Sequence, residues 1–102
     1  MPTRQAVERD RLELLAALER DHAEGPDWQT RFAPGTFGCH EALHLASVLA
    51  SMVDEHLAEH PAIVLNARWF ELACRASAVL AELYQEIGRI HLQPSRSADN
   101  VR

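Results

Sequence analysis

The fold class is set by residues 66–91, which read NARWFELACRASAVLAELYQEIGRIH. Apolar residues recur in this stretch at spacings of three and four, which is the period of an amphipathic helix. Asn66 is a good N-cap residue, and the pattern ends near His91. We therefore expect one long helix, from about Asn66 to about His91, with a single apolar stripe formed by Trp69, Leu72, Ala76, Leu80, Leu83, Ile87 and Ile90.

Two further helical segments precede this one. The first is expected over residues 3–22, with Thr3 as its N-cap. The second begins near Thr36 or Gly38 and runs to about His60, because a proline follows at position 61. Its apolar arc is expected to contain Ala42, Leu45, Ala46, Leu49, Val53 and Leu57, widened by Val48 and Met52.

The connector at residues 23–38 is the least regular part of the chain. Proline suits the first turn of a helix, so residues 26–32 are expected to form a short helix within it. Trp28, Phe32 and Phe37 lie in this otherwise turn-rich segment, which indicates a packed loop rather than a flexible linker. Irregular segments on a rigid scaffold often carry function, and we expect these three aromatic residues to belong to an interaction surface.

No stretch of the sequence alternates with the period of a β-strand, so the predicted fold class is all-α. The simplest architecture is a small bundle of three long antiparallel helices plus one short helix in the first connector. Residues 1–92 would form this single domain, and residues 93–102 a flexible polar C-terminal tail. Three such helices have more apolar edge than a small bundle hides, which favours a homodimer.

Composition narrows the function classes. The chain has 102 residues with a net charge of -5, which argues against direct nucleic-acid binding. All ten basic residues are arginine, which excludes a Walker-type phosphate loop and Schiff-base chemistry on lysine. The uncharged stretch at residues 42–53 is too short to span a bilayer, and the charged N-terminal residues do not form a secretory signal. With only Cys39 and Cys74, no disulfide framework is expected, and we predict a cytoplasmic location.

One motif points to metal chemistry. Residues 40–44 spell H-E-x-x-H, which resembles the zinc-peptidase motif: on a helix, His40 and His44 can ligate one zinc ion while Glu41 activates its water. The glycine of the metzincin extension is absent from residues 45–47. His56 and His60 lie about 120° and 160° around the same helix from His44, so a third ligand would have to come from another helix, for instance Glu19 or His22. The inverted pattern H-x-x-E-H follows at residues 56–60.

A di-iron site is the second metal hypothesis. Such sites use Glu-x-x-His pairs on facing helices, and the chain has two: Glu19 with His22, and Glu41 with His44. The third helix is expected to present Trp69, Ala76, Leu83 and Ile87 inward, so an iron site is expected only across a dimer interface.

The histidines and cysteines also have plain structural interpretations. His40 and His44 lie on a polar arc and are expected to be exposed or interface residues, whereas His56 and His60 are expected to be partly buried and hydrogen-bonded. Cys39 lies at a helix N-terminus, where a thiol can be reactive, but also on the apolar side, where it is usually inert.

The leading functional prediction is a small cytoplasmic helical interaction or adaptor protein without catalytic activity. It would contact itself and an unknown protein partner through residues 28–44 and any uncovered helix face, and no cofactor is expected. The alternative is a metal-binding bundle of the zinc or di-iron type, built on His40, Glu41 and His44, with hydrolysis as one reaction that such a site could catalyse.

Overall fold

The computed structural model describes residues 2–22, 25 and 27–93, and this part of the chain is helical without a β-strand. The predicted all-α class is confirmed, but the helix count is corrected. Instead of three long helices and one short one, the described residues form four α-helices, of which the second continues through a π-helical turn. These elements are α1 (Arg4–Asp21), a 3₁₀-helix (Trp28–Phe32), α2 (Phe37–Met52), the π turn (Val53–Leu57), α3 (Pro61–Val64) and α4 (Ala67–His91).

Side-chain caps fix where the three longer α-helices begin. The Thr3 hydroxyl accepts a hydrogen bond from the Ala6 amide at 3.0 Å, and the Asn66 side chain accepts one from the Trp69 amide at 3.1 Å. The predicted caps of α1 and α4 are therefore confirmed. For α2 the cap is Thr36, whose hydroxyl accepts from the third helical amide at 3.3 Å. Thr36 and not Gly38 thus starts this helix.

The π turn changes which residues of the second helical segment face the core. The Ala58 amide donates to the Val53 carbonyl oxygen at 2.7 Å, a bond between residues five apart. This turn contains one more residue than an α-helical turn, so the residues after it are shifted by one position relative to the core. Ala58 therefore reaches the core and is only 5% exposed, whereas Leu57, which was expected on the apolar arc, is 45% exposed.

The short helix α3 was not expected from the sequence. Pro61 ends the preceding helical segment as predicted, but it also occupies the first turn of a new one, where its missing amide hydrogen costs nothing. The His60 imidazole accepts a hydrogen bond from the Ala62 amide at 3.1 Å and so serves as the N-cap. His60 is therefore an exposed capping residue and not the partly buried histidine that was expected.

The chain divides into two compact units, residues 1–30 and residues 31–102. In the second unit α2 and α4 pack antiparallel, with the start of α2 beside the end of α4. Among the described residues of this unit, the buried side chains are those of Leu43 and three alanines, Ala46, Ala58 and Ala73. Because Ala46 of α2 and Ala73 of α4 are small, the two helices can pack closely, and much of their larger apolar surface stays exposed.

The first unit contains α1 and the beginning of the 3₁₀-helix. The Glu19 carboxylate accepts a hydrogen bond from the Gln29 side chain at 2.5 Å, and the His22 ring stacks on Trp28 at a centroid distance of 5.0 Å. Helix α1 itself has no buried residue. The packing of three long helices into one bundle, the single domain at 1–92 and the homodimer stay predictions. Of the expected polar tail, residues 94–102 lie outside the described residues.

Candidate functional site

The residues of the H-E-x-x-H motif lie on the first two turns of α2. His40, Glu41 and His44 are all exposed. The ring of His40 lies 5.4 Å from the ring of His91, near the end of α4. Nδ1 of His91 accepts a hydrogen bond from the Gly35 amide at 2.8 Å. This arrangement joins the turn before α2 to the last turn of α4, which is a structural role.

No third metal ligand joins this pair in the described part of the chain. Among residues 2–22, 25 and 27–93, no group of three or more histidine, cysteine, aspartate or glutamate side chains lies close enough together to hold a metal ion. The other candidate ligands have local partners, since Glu19 is bonded to Gln29 and His22 is stacked on Trp28. The zinc and di-iron alternatives therefore gain no support from the geometry and stay predictions.

The inverted H-x-x-E-H pattern is divided between two elements. His56 lies in the π turn and is exposed, which differs from the partly buried position expected for it. His60 caps α3. Because the pattern does not lie on one continuous α-helix, its histidines do not have the one-face arrangement that a shared metal ion requires.

Cys39 is half-buried in an apolar groove at the start of α2. The groove is lined by Phe32, Pro34 and Cys39 on one side and by Glu86, Ile87 and Ile90 of α4 on the other. Cys74 is exposed on α4, and neither cysteine forms a disulfide. The groove shows that the Cys39 side of α2 and the Ile90 side of α4 belong to the same face of this unit.

The three connector aromatics differ in accessibility. Trp28 is only 8% exposed, which suits a residue that anchors its own segment. Phe32 is about half exposed, and Phe37 is 77% exposed at the first position of α2. Of the three predicted interaction residues, Phe32 and Phe37 therefore offer surface to a partner.

Only part of the expected apolar stripe of α4 faces the core: Leu80 and Ile87 are half-buried, and the other members are exposed. The sequence placed Trp69, Ala76, Leu83 and Ile87 inward. The first three are exposed, whereas Ile87 is half-buried, and the buried residue of α4 is Ala73. The exposed residues form a regular row, which we call the outer stripe of α4. It consists of Trp69, Leu72, Ala76, Val79, Leu83 and Ile90.

Helix α2 has a comparable outer stripe, formed by Ala42, Leu45, Leu49 and Met52. At 100° per residue, the members of this stripe lie about 60° (Ala42), 80° (Leu49), 120° (Leu45) and 140° (Met52) around α2 from Cys39, all in the same direction, and Cys39 lines the groove with Ile90. The outer stripes of α2 and α4 therefore meet at one apolar face of the unit. The large side chains of these two stripes are between 41% and 64% exposed. Val79 was missed by the sequence analysis, although its spacing of three and four from Ala76 and Leu83 is the signal that would have found it.

Comparisons with known protein families, with curated proteins and with solved structures give no match to this chain. In the described part of the chain, none of the helices combines the length and the apolar character needed to cross a membrane. The functional interpretation therefore depends on the residues themselves.

Proposed function

We propose that this chain is a non-enzymatic interaction protein that acts through protein–protein contacts and associates with a second copy of itself. The observation that carries this proposal is the apolar face formed by the outer stripes of α2 and α4. Eight large apolar side chains lie on it, each between 41% and 64% exposed: Leu45, Leu49, Met52, Trp69, Leu72, Val79, Leu83 and Ile90.

The composition of α2 supports a contact on this face. Its inner side carries Leu43 and Ala46, which are buried, and its outer side carries Leu45, Leu49 and Met52, which are not. A helix that is apolar on both sides is normally covered on both sides. Because α4 covers only the inner side, the outer side is suited to a partner.

The extent of the face supports the same conclusion. The largest apolar patch on a typical monomeric protein is about 300–600 Å². Eight side chains at these exposures leave roughly 800 Å² of surface on this face, which matches the area that one partner of a standard protein–protein interface contributes. Phe32 and Phe37 at the edge of the unit would extend the contact toward the connector.

We place the protein in the cytoplasm and infer that it needs no cofactor. The location is supported by the two unpaired thiols, because Cys74 is exposed and would be prone to oxidation in a secretory compartment. An adaptor role, in which a different protein also binds, is supported by the exposed aromatic residues Phe32 and Phe37, a residue type enriched at interfaces.

Site-specific photo-crosslinking in cells that express the full chain tests the proposal. A photoreactive phenylalanine analogue replaces Leu83 on the outer stripe of α4, and the control variant carries it at Gln85, an exposed position on another side of the same helix. We expect discrete adducts from position 83, identified by mass spectrometry as a second copy or as one other protein, and none from position 85. Equal labelling at both positions, or no adduct at position 83, would overturn the proposal.

A further inference from the structure

The outer stripe of α4 has the spacing of a coiled-coil seam. Positions 69, 72, 76, 79, 83, 86 and 90 are separated alternately by three and four residues over three heptads. Six of these positions carry the apolar residues of the outer stripe, and the seventh carries Glu86. A seam of this kind packs against another helix by inserting its side chains between those of the partner. The helix α2 does not occupy this seam, because Ala73 and not the outer stripe is buried.

The charged residues in and beside the seam favour one orientation of a second α4. The position before each of Trp69, Ala76, Leu83 and Ile90 is charged, and these four flanking residues are Arg68, Arg75, Glu82 and Arg89. In a parallel pair of α4 helices, Glu86 would lie beside Glu86 of the other copy within the seam, which is unfavourable. In an antiparallel pair this contact does not occur.

One antiparallel register also pairs opposite charges. When Ala76 lies opposite Val79 of the second copy, Leu72 lies opposite Leu83. These pairs form four central apolar layers, while Trp69 lies opposite Glu86 at each end of the contact. The same register places Arg75 beside Glu82 of the second copy, and by symmetry this pair occurs twice.

Of the two residues in this pair, Arg75 already contacts the Glu71 carboxylate of its own helix at 3.3 Å, and the remaining donors of its guanidinium would face Glu82 of the second copy. Glu82 forms no ion pair with any residue of the described chain, so its carboxylate is available to a second copy. The register also brings Arg68 near Arg89 of the second copy. Each of these arginines is already paired within its own helix, Arg68 with Glu71 at 2.9 Å and Arg89 with Glu86 at 3.0 Å, which reduces their mutual repulsion.

We propose that the chain forms a twofold dimer in which α4 packs antiparallel against α4 of a second copy, with Arg75 of each copy paired to Glu82 of the other. This inference rests on the proposed function and specifies its self-association. Leu49 and Met52 belong to the outer stripe of α2 and would add to the contact beside the seam.

Charge reversal in the full-length chain tests the orientation and the register. Analytical ultracentrifugation measures the dimer dissociation constant of the wild type, of Arg75→Glu, of Glu82→Arg and of the double variant. Each single variant creates two like-charge contacts per dimer, and we expect its dissociation constant to rise at least about tenfold. The double variant has the same net charge as the wild type and restores both ion pairs with the charges exchanged. We therefore expect its dissociation constant to lie within about threefold of the wild-type value. Far-UV circular dichroism of each variant verifies that α4 is intact.

The outcomes separate this inference from the proposed function. Single variants that dimerise like the wild type, or a double variant no better than the single ones, would overturn the register. A wild-type chain that is monomeric throughout the accessible concentration range would overturn the dimer. If photo-crosslinking from position 83 nevertheless identified a different protein, the interaction function would stand while the second copy would be rejected as its partner.

Discussion

Replacing Gly38 with alanine is expected to destabilise the unit formed by α2 and α4. Gly38 is the second residue of α2, and a methyl group added there would overlap the carbonyl oxygen of Arg31 and the ring of Phe32. The carbonyl oxygen belongs to the backbone of the 3₁₀-helix, so relief requires that segment to move. Gly38 is therefore needed for the close approach of the connector to α2.

The size of the effect follows from two opposing contributions. Overpacking of this kind costs about 1–3 kcal/mol. Alanine in place of glycine gains at most about 1 kcal/mol of helix propensity, and less near a helix start. The net loss for Gly38→Ala is therefore about 1–2 kcal/mol, which in a domain of this size lowers the melting temperature by on the order of 10 °C.

Gly88 provides the matched control. A methyl group at Gly88 would lie 3.6 Å from Leu43 Cδ1 and 3.9 Å from Leu92 Cδ1, which is ordinary van der Waals contact. Because Gly88 lies within α4, Gly88→Ala should stabilise the protein by about 0.5–1 kcal/mol. Urea denaturation followed by circular dichroism, at one fixed protein concentration, compares both variants with the wild type. A Gly38→Ala variant that is as stable as the wild type would refute the close approach.

Three further predictions concern a cap, an ion pair and the metal hypothesis. Thr36→Ala removes the N-cap of α2 together with the hydroxyl's hydrogen bonds to the Arg31 and Ala33 carbonyl oxygens, so it should cost at least about 1 kcal/mol in urea denaturation. The exposed Thr30→Ala control should cost little, and equal losses would contradict the structural role of the Thr36 hydroxyl. Two hydrogen bonds from Arg11, at 2.8 and 2.6 Å, lower the pKa of Glu8. The pair therefore stabilises α1 at pH values above the ordinary carboxyl pKa, and this stabilisation is lost as the pH falls through the lowered pKa. In an NMR titration the Glu8 midpoint should rise in Arg11→Gln, and an unchanged midpoint would exclude the pair. Mass spectrometry of the purified full chain should find no stoichiometric zinc or iron, either in the wild type or in His44→Ala, and metal that is bound by the wild type but lost in the variant would restore the H-E-x-x-H hypothesis.

Helix starts were predictable because their causes are local. The caps at Thr3 and Asn66 each bond to the amide of a residue three positions later, so the signal lies within one turn of sequence. The π turn was not predictable in this way. Its bond from Ala58 to Val53 competes with the ordinary α-helical bond, and a periodicity of 3.6 residues continued through this region placed Leu57 in the core instead of Ala58.

The candidate site was predictable only in part, and for a different reason. The periodicity of α4 correctly identified its apolar side, including Leu72 and Leu83. It did not identify which neighbour covers that side, because a hydrophobic stripe is the same whether the covering surface belongs to the same chain or to another. The helix α2 packs instead on the side of α4 that carries Ala73. This residue follows Leu72 and lies about 100° around the helix from it, and its small side chain allows close contact.

This division of small and large residues links the fold to the proposed contact. Full burial of a large apolar side chain contributes about 1.5–3 kcal/mol to the free energy of folding. The side chains on the outer stripe of α4 are partly exposed and therefore contribute only part of this amount. Summed over Trp69, Leu72, Val79, Leu83 and Ile90, the unrealised part is several kcal/mol, which is comparable with the 5–15 kcal/mol that typically separates folded from unfolded chains. A second copy packed on this stripe would therefore supply a substantial share of the stability of the fold as well as the interaction. In such a protein, folding and association are coupled, and the stability of α2 and α4 rises with the concentration of the chain.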